Sequence, residues 1–166
     1  MALLQMSALL CTVLALSVAS ASVIEVDKRD SCQGSCAHGW TSFKNRCYQY
    51  FSDQKDWADA EGFCLSGGGN LASVHSEEEH TFLKQLIKKS DNAENPTWIG
   101  GTDCQKEGVW HWSDGTKWDF TKWNGGEPNN LNIENCLHMD FPAGMTGNWN
   151  DIACGNRYAF ICVLRA

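Results

Sequence analysis

Five side chains in the last 40 residues carry oxygens of one chemical kind: Glu127, Asn129, Glu134, Asn150 and Asp151. Carboxylate and amide oxygens are what a hard cation prefers, and calcium takes roughly six to eight of them. On residue type alone, a loop rich in Asp and Asn is equally well a run of turns, so the order and framing of these residues must decide. The chain offers little other chemistry. His75 and His80 flank three glutamates, but a hydrolase zinc pair stands at i and i+4 with Glu after the first His. A spacing of five turns the rings about 140° apart on a helix. No nucleophile and base pair, phosphate-cradling glycine loop or basic aromatic patch stands out, so the expectation is a binding protein and not an enzyme. The formal net charge of -7 argues against nucleic acid as a partner and suits a cation.

Most of the ligand set falls in or beside a Gly-, Asn- and Trp-rich stretch, residues 113–135, that has no periodic run. A loop of that length inside a compact domain is uncommon and usually functional. Short apolar segments surround it: Thr97 to Gly100, Val109 to Trp112, Cys136 to Asp140 and Ala159 to Leu164. Upstream, Trp40 to Phe51 alternates roughly apolar and polar, as a hairpin does. Trp57, Ala60 and Cys64 then recur at helical spacing, and Gly67-Gly68-Gly69-Asn70 ends that helix. After a strand expected at Leu71 to Val74, Ser76 with Glu79 three residues on forms a capping box. Phe82, Leu83, Leu86 and Ile87 follow on one face, and Lys88-Lys89 sits at the end favoured by the helix dipole. Trp57, Trp98, Trp110 and Trp112 read as core, and Trp123 and Trp149 border the candidate site.

Residues 1–21 carry no charge, are dominated by Leu, Ala and Val, and end in Ala19-Ser20-Ala21, the pattern of a secretory signal peptide. Their apolar core, Ala8 to Val18, is too short to span a bilayer. The expectation is a secreted, extracellular product with no membrane insertion. Lys28-Arg29 either marks a second cut, making residues 22–29 a propeptide, or is a solvated charge pair. Residues 30–166 are the size of one domain. Nine cysteines are present. Setting aside Cys11 in the signal leaves an even set of eight, a disulfide framework in a small secreted chain. Spacing alone leaves about a hundred pairings open.

The chain resembles the C-type lectin domain over Cys36 to Cys162. The resemblance is carried by Trp98-Ile99-Gly100-Gly101, Trp123-Asn124-Gly125-Gly126-Glu127-Pro128-Asn129-Asn130, Trp149-Asn150-Asp151 and four cysteines in family order. Through Gly68-Gly69-Asn70-Leu71-Ala72-Ser73-Val74-His75-Ser76 and Gly101-Thr102-Asp103-Cys104 it looks closest to fish secreted mannose-type lectins and the related type II antifreeze proteins. The resemblance implies an α+β, C-type lectin fold: two helices, two small antiparallel sheets and a long calcium-binding loop region, stapled by disulfides Cys36–Cys47, Cys64–Cys162 and Cys136–Cys154. It implies a principal Ca2+ site on Glu127, Asn129, Glu134, Asn150 and Asp151, with a cis Glu127-Pro128 bond aiming the flanking side chains at one ion.

Two vicinal sugar hydroxyls would donate to Glu127 or Glu134 and accept from the amides of Asn129 or Asn150, so that every lone pair and proton is used. The Glu-Pro-Asn order resembles members that prefer mannose-class glycans, and innate recognition of microbial surfaces follows as the expected role. A second metal position matches Asp103, Glu107, Asn130 and Asn135, weakened by two amides in place of carboxylates. Cys32 and Cys104 are left over. Either they bridge within the chain or one or both link chains, and Cys32, outside the domain near the terminus, is the expected link of a homo-oligomer. An ice-binding antifreeze-like protein is the alternative on the same fold.

Overall fold

The computed structural model describes residues 36–139 and 147–165. The expected signal peptide, propeptide and Cys32 lie outside the described residues. The first hairpin pairs β1 (Thr41–Phe43) with β2 (Arg46–Lys55). Lys44 and Asn45 turn it with φ values of 46° and 59°, the left-handed pair that a tight two-residue hairpin loop requires.

Helix α1 (Trp57–Ser66) begins at Asp56, whose carboxylate accepts from the Asp59 N–H, and closes on Gly67. Strand β3 (Asn70–Leu71) is two residues long. The rest of the strand expected at Leu71 to Val74 is buried but irregular chain. Gly100 packs against this segment so closely that a Cβ there would lie 2.8 Å from the Leu71 carbonyl oxygen.

Helix α2 (Glu77–Ser90) is capped by Ser76, which accepts from Glu79 N at 3.2 Å. The reciprocal arm reaches one residue further back than a standard capping box: Glu79 Oε2 accepts from His75 N at 2.6 Å. Leu83, Leu86 and Ile87 are buried on the inner face, and Phe82 stacks on Phe43 at 4.4 Å, tying the helix to the hairpin.

The remaining strands are β4 (Thr97–Thr102), β5 (His111–Trp112), β6 (Cys136–Met139), β7 (Trp149–Ile152) and β8 (Tyr158–Arg165). They complete an eight-stranded sheet with path β1-β2-β8-β4-β6-β7, with β3 on β8 and β5 on β4. The two expected antiparallel groups are present, and they are joined by a short parallel pairing, Thr97 with Ala159 and Trp98 with Phe160. Strand β7 had no counterpart in the sequence reading.

Disulfides link Cys36 to Cys47, Cys64 to Cys162 and Cys136 to Cys154. The first holds the segment before β1 to the hairpin. The second ties α1 to β8. The third ties the start of β6 to the chain just past β7.

Candidate functional site

The long stretch after β5 is held by aromatic packing and a few backbone bonds. Trp149 is fully buried, and the rings of Trp112, Trp118, Phe120 and Trp123 surround it at 5.6, 5.8, 5.7 and 5.8 Å. Trp149 N donates to Lys122 O at 2.8 Å, and Asn124 N donates to Trp149 O at 2.8 Å. These bonds lay the loop alongside β7, so that residues 127–134 meet Asp151.

The Glu127-Pro128 bond is cis, and Asn129 Nδ2 donates to Glu127 Oε2 across it at 2.6 Å. Asp151, buried on β7, accepts the Asn129 N–H at 3.0 Å on one oxygen and the Asn130 N–H at 2.8 Å on the other. Glu134 Oε2 accepts from Leu131 N at 3.1 Å, while Glu134 N donates to Asn130 Oδ1 at 2.8 Å. Asn150 Nδ2 donates to His138 Nε2 at 3.1 Å. Asn130, Asn132 and Ile133 all have positive φ, the last at 69°. For a β-branched residue that conformation costs about 1–3 kcal/mol, the kind of strain that concentrates at ligand-holding loops. Leu131 and Ile133 point outward, 64% and 75% exposed, as an apolar rim.

The electrostatics show whether this donor set fits a cation. The Glu127 carboxyl is pushed up from 4.5 to about 7, first by burial and then by the hydrogen bond and charge of Asp151 and the charge of Glu134, with the Asn129 amide opposing. Glu134 is raised too, by burial and by Asp151, against the Leu131 N–H. Three carboxylates therefore crowd one another with little compensating positive charge, the arrangement that a hard divalent ion relieves.

The second expected set is only partly assembled. Asn135 Nδ2 donates to Asp103 Oδ1 at 2.9 Å and to Glu107 Oε2 at 3.4 Å, and Gly108 N donates to Asp103 Oδ2 at 2.8 Å. Asn130 instead bonds to Glu134 and Asp151. An amide nitrogen thus stands between the two acids, where a cation would have to sit.

The fold also assembles a group that the sequence reading missed. His75 Nδ1 is 2.9 Å from Asp119 Oδ1 and its Nε2 is 3.2 Å from Ser73 Oγ. These are the distances of a nucleophile, base and acid, yet Ser73 is fully buried and its hydroxyl already donates to Asp114 and accepts from Arg46. No substrate carbonyl can reach it, so the network serves to fix the chain between β3 and α2. His80 is core, buried against Trp149. Cys104 is an exposed free thiol, its Sγ 3.8 Å from Asn135 O and 3.7 Å from Cys154 Sγ. His138, opposite Asn150 in the β6–β7 register, was also passed over. Its ring is held neutral, its pKa pushed down to about 4 by burial against the opposing charge of Asp151.

The family profile of the Lectin C-type domain matches residues 53–164. The chain belongs to the C-type lectin family. Among its relatives, the "Lactose-binding lectin l-2" of Anguilla japonica is 46% identical over 139 residues, covering 81% of each chain. The "Galactose-specific lectin nattectin" of Thalassophryne nattereri is 40% identical over 129 residues, covering 77% of this chain and 79% of the relative. Among solved structures, herring type II antifreeze protein superposes with a TM-score of 0.72 at 38% identity, covering 79% of this C-type lectin and 99% of the antifreeze chain. The first two of these relatives are lectins. Among the described residues of this family member, no helix is long and apolar enough to cross a membrane.

Proposed function

We propose that this C-type lectin binds sugars through one calcium ion held by Glu127, Asn129, Glu134, Asn150 and Asp151. The observation that carries the reading is the crowding of Glu127, Glu134 and Asp151, with the Glu127 carboxyl pushed up to about 7. Bound calcium would supply two coordination positions for adjacent sugar hydroxyls. Glu127 and Glu134 accept the protons of those hydroxyls, and the amide N–H groups of Asn129 and Asn150 donate to their oxygens, so the sugar leaves no polar atom unpaired. Each Asp151 oxygen accepts one N–H of the 129–130 backbone, which shapes the loop around the site, and keeps a lone pair for the ion.

The sugar class in this reading is mannose-like, on the Glu127-Pro128-Asn129 order, in a secreted protein that recognises microbial glycans, with Cys32 linking chains. A single shallow site binds a monosaccharide weakly, and linked copies raise avidity by about 10²–10⁴. A galactoside is the second reading, favoured by the lactose-binding lectin of Anguilla japonica and the galactose-specific lectin of Thalassophryne nattereri. The test is retention on immobilised mannose and on immobilised lactose, with calcium and then with a chelator. Elution from mannose by chelator is expected. Equal retention in chelator sinks the calcium reading, and retention on lactose alone replaces the mannose reading by the second. Ice binding, suggested by the herring relative, predicts thermal hysteresis without sugar retention.

A further inference from the structure

His138 sits in β6 directly across from Asn150, 3% exposed. Its ring stacks on Tyr158 at 5.3 Å and meets the edge of Trp98 at 5.9 Å, so it has little freedom to turn. Asn150 Nδ2 faces the ring at 3.1 Å, and in that orientation Nε2 accepts and the neutral ring carries its proton on Nδ1, a buried atom with no hydrogen-bond partner among the described residues.

We propose that His138 is a positioning residue: by accepting one N–H of the Asn150 amide, it commits the amide oxygen to the calcium site. The inference rests on the reading of Asn150 as a calcium ligand. The two ends of a side-chain amide are nearly the same size, so packing alone does not choose between them. The hydrogen-bond partner does. A proton on Nε2 would require an acceptor facing the ring. Asn150 would then turn its oxygen inward and present an NH2 group to the ion, which needs oxygen ligands. With the proton on Nδ1, one amide N–H is held by the ring, Oδ1 points away from it, and the second N–H remains for a sugar hydroxyl. The ring tautomer therefore decides both roles assigned to Asn150. Groups behind a metal ligand commonly act in this way, and losing them weakens metal binding by about 10–100-fold.

Long-range proton–nitrogen correlation spectra of 15N-histidine-labelled protein should show His138 protonated on Nδ1 and bare on Nε2; a proton on Nε2 overturns the proposal. Calcium titration calorimetry should then show His138→Gln, which keeps an acceptor, within about threefold of the unmodified protein, and His138→Phe weaker by about 10–100-fold. His138→Phe binding as tightly as the unmodified protein also overturns it. An Asn150→Asp background separates positioning from packing, because a carboxylate has oxygen at both ends. There, His138→Phe should change calcium affinity by less than about threefold, and an equal loss in both backgrounds would mean that the ring only packs. Should His138→Phe fail to fold, the tautomer and His138→Gln still decide, with a loss of about tenfold or more in folded His138→Gln counting against the proposal. Absence of calcium binding by the unmodified protein is a separate outcome: it removes the site reading, and this inference with it.

Discussion

Acidification should release calcium near neutrality, well above the range of ordinary carboxylates. The Glu127 carboxyl is raised to about 7 by burial, by Asp151 and by Glu134, and it must be ionised to hold the ion. For one group at that pKa, the ionised fraction falls from about nine-tenths at pH 8 to about one-tenth at pH 6, so calcium affinity should drop about tenfold over those two units. A carboxyl left at 4.5 would change by only about 3% over the same range. The direction for stability is opposite. Between about 4.5 and 7 the metal-free fold holds a proton on Glu127 that the unfolded chain has released, so metal-free stability is highest below that window and declines as pH rises through it. Calcium titration calorimetry at about pH 8, 7 and 6, with thermal unfolding in chelator at the same values, measures both slopes. An affinity that is flat from pH 8 to 6 would refute the crowding argument. So would a metal-free midpoint that rises with pH in this window, unless Glu127→Gln retains the same rise.

Exchanging the motif polarity with Glu127→Gln and Asn129→Asp should move preference from mannose toward galactosides, read by competition with the two free sugars against an immobilised glycan. Unchanged mannose preference would show that the orientation of donors and acceptors about Pro128 does not choose the sugar. Replacing Cys64 and Cys162 by Ala opens a loop with a sequence separation of 98 and should cost about 4–5 kcal/mol in the chain-entropy estimate, measured by denaturant unfolding. A loss under about 1 kcal/mol would mean that the reduced, unfolded chain is already compact.

The parts of this structure that sequence could reveal are those governed by neighbours along the chain. The start of α2 follows from Ser76 and Glu79 three residues apart, and its buried face from Leu83, Leu86 and Ile87. Strand β7 gave no such signal. Four residues, Trp149 to Ile152, including an Asn and an Asp, match no strand pattern, and they form one because β6 pairs with them and Trp149 anchors the long loop's aromatic cluster. The parallel contact between β4 and β8 likewise joins segments more than 60 residues apart.

The site repeats this division. Glu127, Asn129 and Glu134 are close in sequence, and their order around Pro128 made the oxygen set legible. The Trp149-Asn150-Asp151 motif named Asn150 and Asp151, but not their contacts, which depend on register: His138 falls opposite Asn150 and Leu137 opposite Asp151. A one-residue slip of β6 against β7 would put each of these side chains on the other face of the sheet, turning Asp151 away from the 129–130 backbone and breaking the His138 contact. Cys136 opens β6 and Cys154 lies two residues beyond β7, and their disulfide opposes that slip. The bond thereby preserves the alignment between the loop ligands and the strand ligands, a role in the binding site as well as in stability.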